Sequence, residues 1–194
     1  MPKTFTSSYS IAQQSLITSL VQTVNPSFVL EIGTQQGSSS IALGKGMSSD
    51  SKLITYDLFE ESYEDYPYFS THANKKLAEQ NLKKANLLCD WEVRKGNYKH
   101  FLLQEQEVVD ILHVDICNHL GNLSPILRFC ESKVTSMIIL EGGGHNDWQR
   151  KHKFVPYKSS LNQNYLCNWE HVTIYEGSHR AITIMSRRKN DSSF

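Results

Sequence analysis

The segment Glu31-Ile32-Gly33-Thr34-Gln35-Gln36-Gly37-Ser38-Ser39-Ser40 gathers residue types suited to binding a ligand through the main chain. Gly33, directly after a short apolar run, lets the backbone turn sharply. Gly37, four residues on, leaves room for a ligand to approach the main chain closely. A helix starting at the serines would add unpaired N–H groups and a positive dipole end, suited to a carboxylate or phosphate. An ordinary tight strand-to-helix turn has the same glycine spacing, so the pattern alone leaves both readings open. Asp57 follows Gly33 by 24 residues. At the end of a second strand its carboxylate could accept both ribose hydroxyl hydrogens of an adenosine; a solvated strand-end aspartate is the alternative. Asn97, after Gly96, can donate or accept at a third strand end, or simply close a turn.

Two further carboxylates, Asp115 and Glu141, end apolar runs in the second half of the chain. In open α/β sheets ligands gather at the carboxyl ends of the strands, so both acids should face one crevice. Such a pair suits a divalent cation, magnesium being the natural candidate, that orients a hydroxyl and lowers its pKa. His119, His145, Asn146 and Asp147 lie close enough in sequence to add ligands or a general base. The aromatic stretch from Tyr63 to His72 would form a lid or acceptor wall, or pack its loop onto the body. Trp148 to Tyr165 carries four further aromatics.

These residues need a scaffold, and the pattern supplies an alternation of short apolar runs and amphipathic stretches. Ser10 to Val24 has apolar residues at helical spacing and stops at Asn25-Pro26. Phe28 to Ile32 reads as a strand buried on both faces. Ser38 to Met47 reads as a helix opened by capping serines. Strands follow at Leu53 to Asp57, Trp91 to Val93, Val108 to Val114 and Met137 to Leu140. Between them, helices are expected over Thr71 to Leu88 and Gly121 to Glu131, the latter with Pro125 in its first turn. Gly96 to Leu103 reads as a turn or helix. Strands separated by helices imply parallel crossovers and a doubly wound sheet. Glu170 to Tyr175 and Arg180 to Ser186 are separated too briefly for a crossover and must form an antiparallel hairpin. The expected class is therefore α/β, a Rossmann-like doubly wound sheet, mostly parallel, with an antiparallel C-terminal hairpin.

The 194 residues fit one domain, with the segment up to residue 25 packing on it as a helix. Twenty basic and twenty acidic residues balance to zero net charge, giving no electrostatic reason to expect nucleic acid. No stretch approaches the ~18 apolar residues that a membrane span requires. Four scattered cysteines form no CxxC pair and read as reduced thiols rather than a zinc site. A cytoplasmic protein without a membrane partner is expected; a homodimer is left open.

Glu-x-Gly-x-x-x-Gly after an apolar strand resembles the first motif of class I S-adenosylmethionine-dependent methyltransferases. "EIGTQQGSSS" is especially similar to its form in small-molecule O-methyltransferases and in antibiotic- and sugar-modifying methyltransferases. Gln35 stands where the wider superfamily often has a middle glycine. The resemblance implies that Gly33 and Gly37 line the methionine part of S-adenosylmethionine, with Glu31 and Ser39 nearby. It places Asp57 at the ribose and Asn97 near the adenine; as the alternative to a metal pair, Asp115 is a polar loop residue near the sulfonium and Glu141 an orienting carboxylate. Metal-dependent members carry acids where Asp115 and Glu141 fall, yet "EGGGHND" replaces their adjacent Asp-Asn pair, which favours a metal-free or optionally metal-assisted reaction. His145 is the expected base, since a neutral imidazole suits proton abstraction near pH 7. Asp115 and Glu141 complete the expected catalytic set, acting on a small-molecule or sugar-like acceptor. Two alternatives stand beside this reading: a cofactor-binding module without catalysis, and a NAD-dependent oxidoreductase. Gly-x-x-x-Gly spacing in place of Gly-x-Gly-x-x-Gly, together with the hairpin, disfavours the second.

Overall fold

The computed structural model describes residues 9–59, 73–104, 107–116, 120–141, 169–174 and 181–188. Helix α1 (Ile11–Val24) starts at a capping box. Gln13 N donates to Ser10 Oγ while Ser10 N donates to Gln13 Oε1, satisfying two otherwise orphaned donors. It ends at Asn25, whose left-handed backbone (φ 50°) closes the last turn ahead of Pro26. The chain then alternates through β1 (Phe28–Ile32), α2 (Ser38–Lys45), β2 (Lys52–Asp57), α3 (Lys75–Ala85) and β3 (Asp90–Lys95). It continues through α4 (Tyr98–Gln104), β4 (Val109–Val114), α5 (Leu120–Lys133), β5 (Val134–Glu141), β6 (Trp169–Ile174) and β7 (Ile182–Arg187).

The strands form one sheet in the order β3-β2-β1-β4-β5-β7-β6. The first five are parallel, while β7 runs antiparallel to both β5 and β6. The last two strands thus form the expected antiparallel pair, with the second of them inserted beside β5 and the first left at the edge. β1 is buried at all five positions because helices cover both faces. On one face Leu30, Ile54, Leu112 and Ile138 pack with Phe101 of α4 and Ile126 of α5. On the other, Val29, Leu53, Ile111 and Ile139 meet Ile17 and Val21 of α1 and Leu43 of α2.

Three local expectations differ from the structure. Pro125 lies in the second turn of α5, not the first, and costs the helix one backbone bond without ending it. β5 begins at Val134, directly after α5, three residues ahead of the expected start. The cap of α2 is Gly37 and not a serine; with φ 90° it makes no side-chain cap bond, and the serines fall inside the first turn. The aromatic segments from Tyr63 to His72 and from Trp148 to Tyr165 lie outside the described residues.

Candidate functional site

Parallel pairing places alternate residues of neighbouring strands in rows on one face of the sheet. Ile32 is level with Tyr56 and Val114, and Val114 is level with Leu140. One residue further on, Asp57, Gly33, Asp115 and Glu141 therefore form a row at the carboxyl ends of four adjacent strands. The described structure thus brings together the three acids and the first glycine that the sequence had singled out. Backbone bonds hold the row: Gly33 N donates to Tyr56 O (2.8 Å), Asp115 N to Ile32 O (2.8 Å) and Gly96 N to Asp57 O (2.9 Å).

The bend between β1 and α2 is set by positive backbone angles at Gly33 (φ 102°), Gln35 (φ 49°) and Gly37 (φ 90°). The glycines also answer to the protein itself. A Cβ on Gly33 would overlap the backbone carbonyl of Asp115, and one on Gly37 would sit 2.5 Å from Leu82 Cδ1 of α3. The Asp115 backbone thus requires glycine at position 33, while at 37 the left-handed backbone angle disfavours any side chain and Leu82 would have to shift. Asp57 reaches into this bend. Its Oδ2 accepts from Gln35 N at 2.6 Å and its Oδ1 from Phe59 N at 3.3 Å. A carboxylate has about four acceptor positions, so capacity remains for hydroxyl donors. Burial pushes the Asp57 carboxyl above its usual range, against the pull of the Gln35, Phe59 and Leu58 amides. A half-buried acid already aimed at the glycine bend is what a ribose diol would need.

Asn97 occupies the next strand end. Its Oδ1 accepts from Lys99 N (2.9 Å), so it caps the short helix α4 beside the Asp57 terminus. Asp115 is partly exposed at the end of β4, and Glu141 is buried at the end of β5. Among the described residues no group of three or more His, Cys, Asp or Glu side chains is arranged to hold a metal ion. Of the candidate metal donors, Asp115 and Glu141 are described, while His119, His145, Asn146 and Asp147 lie outside the described residues.

Glu31, at the end of β1 beside the bend, is fully enclosed by protein. Its Oε1 accepts from His113 Nδ1 at 3.0 Å; its Oε2 accepts from Thr55 Oγ1 at 2.6 Å and from Ser40 Oγ. Thr34 Oγ1 bonds in turn to Thr55 Oγ1. Burial opposes ionisation of Glu31, but His113 and the hydroxyls of Ser39 and Ser40 outweigh it and hold the carboxyl below its ordinary value. Ser39 thus turns its hydroxyl inward, while its backbone stays in the first turn of α2. Thr55, Glu31 and His113 are level in the sheet, one pleat below the site row. Sequence reading missed Thr55, His113 and Tyr9, whose hydroxyl lies 2.9 Å from His113 Nε2. A signal existed: Glu31 and His113 are the polar exceptions in two runs otherwise apolar at every position, Val29 to Ile32 and Ile111 to Val114.

A five-strand parallel sheet with the β7–β6 addition, and a strand-end acid bonded into a glycine bend, define the class of Rossmann-like methyltransferases. Residues 30–135, more than half of the sequence, match the family described as a methyltransferase domain, and the chain belongs to that family. A search among curated protein sequences finds no significant match. Among solved structures, a methyltransferase from Geobacter sulfurreducens superposes with a TM-score of 0.70 at 15% identity, covering 93% of this chain and 80% of its own. An O-methyltransferase from Bacillus cereus in complex with S-adenosylhomocysteine gives a TM-score of 0.67 at 22% identity, with 93% and 82% covered. The O-methyltransferase TomG from Streptomyces achromogenes, involved in tomaymycin synthesis and solved with S-adenosylmethionine, gives 0.68 at 17% identity, with 93% and 82% covered. At these identities the likeness establishes the fold.

Proposed function

We propose that this methyltransferase uses S-adenosylmethionine and transfers its methyl group to an oxygen of a small-molecule or sugar-like acceptor. The observation that carries the cofactor assignment is the Asp57 carboxylate bonded to Gln35 N inside the Gly33–Gly37 bend. It makes the second strand end and the glycine turn one crevice, with an acceptor for a ribose diol beside the first turn of α2. That turn opens at Gly37, which has no side chain to cap it, and its positive dipole end suits the cofactor's carboxylate. Gly96, whose N–H bonds to Asp57 O, and Asn97 follow the neighbouring strand and are proposed to border the adenine.

When bound, S-adenosylmethionine supplies an already activated methyl group. The protein's share is then alignment of the acceptor and removal of its proton. Asp115 and Glu141 are proposed to face that acceptor from the ends of β4 and β5, where they orient its hydroxyl. His145 is proposed as the base. Methylation of oxygen is favoured because the solved O-methyltransferases named above share the fold, and because strand-end acids suit a hydroxyl acceptor.

The test is isothermal titration with S-adenosylmethionine, S-adenosylhomocysteine and NAD, each with and without magnesium, followed by turnover with a panel of hydroxylated acceptors. Binding of the two adenosyl ligands and release of S-adenosylhomocysteine with an acceptor support the reading. NAD binding in their place overturns it. Tight cofactor binding without turnover of any acceptor points instead to a binding module.

A further inference from the structure

The site row rests on a line of buried polar groups. Glu31 takes one hydroxyl from α2 (Ser40) and one from β2 (Thr55), and Thr55 is bonded to Thr34 in the bend itself. One carboxylate therefore fixes the bend and the first turn of α2 from beneath. What fixes the carboxylate is His113. Its Nδ1–H donates to Glu31 Oε1, and its other ring nitrogen is paired with the hydroxyl of Tyr9. The imidazole cannot rotate without losing both partners. Tyr9 precedes α1 and is buried against the sheet, its ring 5.7 Å from that of His113. It is anchored from its own side by the capping box at Ser10 and by Gln14 Nε2, which donates to Tyr9 O (3.2 Å).

We propose that Tyr9 is a positioning residue for the methionine end of the cofactor site, acting through the relay Tyr9–His113–Glu31. Tyr9, two residues ahead of α1, thereby helps set how well the Gly33–Gly37 bend is formed. The inference rests on the cofactor assignment above, but its structural half does not depend on which ligand binds. Groups that orient a first line of binding residues through hydrogen bonds commonly control affinity without touching the ligand. Because coupling is reciprocal, a ligand seated at the bend should also tighten the docking of Tyr9.

Two variants separate this role from simple support of the fold. Tyr9→Phe keeps the ring and removes the hydroxyl. Asp110→Ala weakens the opposite end of the sheet, where Asp110 accepts from Ser27 N, Phe28 N and Thr135 Oγ1, and serves as a stability control. Affinity for S-adenosylhomocysteine is read by calorimetry, and amide exchange over residues 33–40 and 138–140 is read without ligand. Tyr9→Phe should weaken binding roughly two- to tenfold, the equilibrium effect of one neutral hydrogen bond, and speed exchange over 33–40 by a similar factor. Exchange over 138–140 should stay as in the wild type, and Asp110→Ala should leave both affinity and the 33–40 rates unchanged. His113→Gln carries the same expectation as Tyr9→Phe and serves if that variant does not fold. The proposal is overturned if Tyr9→Phe and Asp110→Ala behave alike, or if exchange over 33–40 is unaffected. If the wild type binds no adenosyl ligand, the cofactor assignment has failed and the exchange rates alone decide the relay.

Discussion

Replacing Glu31 with Leu tests whether the buried polar row is a real structural demand. Leu is close in size and fits the surrounding apolar layer, so the loss is chiefly one of acceptors. Ser40 Oγ–H, Thr55 Oγ1–H and His113 Nδ1–H would all lose their partner in a fully enclosed space. Each buried donor left without its acceptor costs roughly 1–3 kcal/mol, so a loss on the order of 3–5 kcal/mol is expected for the set. For a chain of this length each kcal/mol moves the melting temperature by roughly 2–4 °C, so a fall on the order of 10 °C is expected at pH 7. Glu31→Gln should recover part of it. The amide keeps an oxygen for the two hydroxyls and can donate to His113 if the imidazole changes tautomer. The sign with pH is also determined. The folded carboxyl lies below its ordinary value of 4.5, so its contribution is fully present above that value and is lost as pH falls through the lower folded value. The Glu31→Leu deficit should therefore shrink in acid. Thermal denaturation followed by circular dichroism at several pH values reads both effects. A melting temperature within about 2 °C of the wild type at pH 7, or a deficit that grows in acid, would refute the reasoning.

Other perturbations reach different parts of the same design. Asp57→Asn should lower affinity for S-adenosylhomocysteine roughly tenfold or more by calorimetry, since a charged hydrogen bond is worth about 1.5–3 kcal/mol. In the wild type, burial raises the Asp57 carboxyl above 3.8, so affinity should begin to fall, as pH is lowered, before that value is reached. Gly37→Asp should abolish cofactor binding measured the same way. A side chain at φ 90° is strained, and this one would collide with Leu82, shifting α3 or unwinding the start of α2. Arg187→Met should lower the urea midpoint by the equivalent of roughly 2 kcal/mol with an unchanged slope. It removes bonds to the carbonyls of Cys130, Glu131 and Val134 and the stacking of the guanidinium over Trp169.

Much of the fold was legible along the chain because its causes are local. Five short apolar runs separated by amphipathic stretches can be satisfied only by parallel strands with helical crossovers. The brief gap between the last two strands permits only a hairpin. Glycines at positions 33 and 37 and an acid at 57 announced a bend and a strand end, and strand alternation carried Asp57, Asp115 and Glu141 to the same side. Boundaries were less legible: β5 continues straight from α5, and Pro125 is tolerated in a second turn because packing outweighs one lost backbone bond.

Tertiary structure alone decided three matters. It placed β7, rather than β6, against β5, since both strands of a hairpin carry the same alternation and only the neighbouring surface can choose between them. It showed that Gly33 and Gly37 answer to the Asp115 carbonyl and to Leu82, partners 82 and 45 residues away that no local pattern could name. It also surrounded Glu31 with donors from β2, α2 and β4 beneath the Gly33–Gly37 bend. Sequence marks a carboxylate in an apolar strand as an exception, but whether it meets ligand or protein depends on what stands level with it, and here that is His113, brought alongside by the β1–β4 pairing.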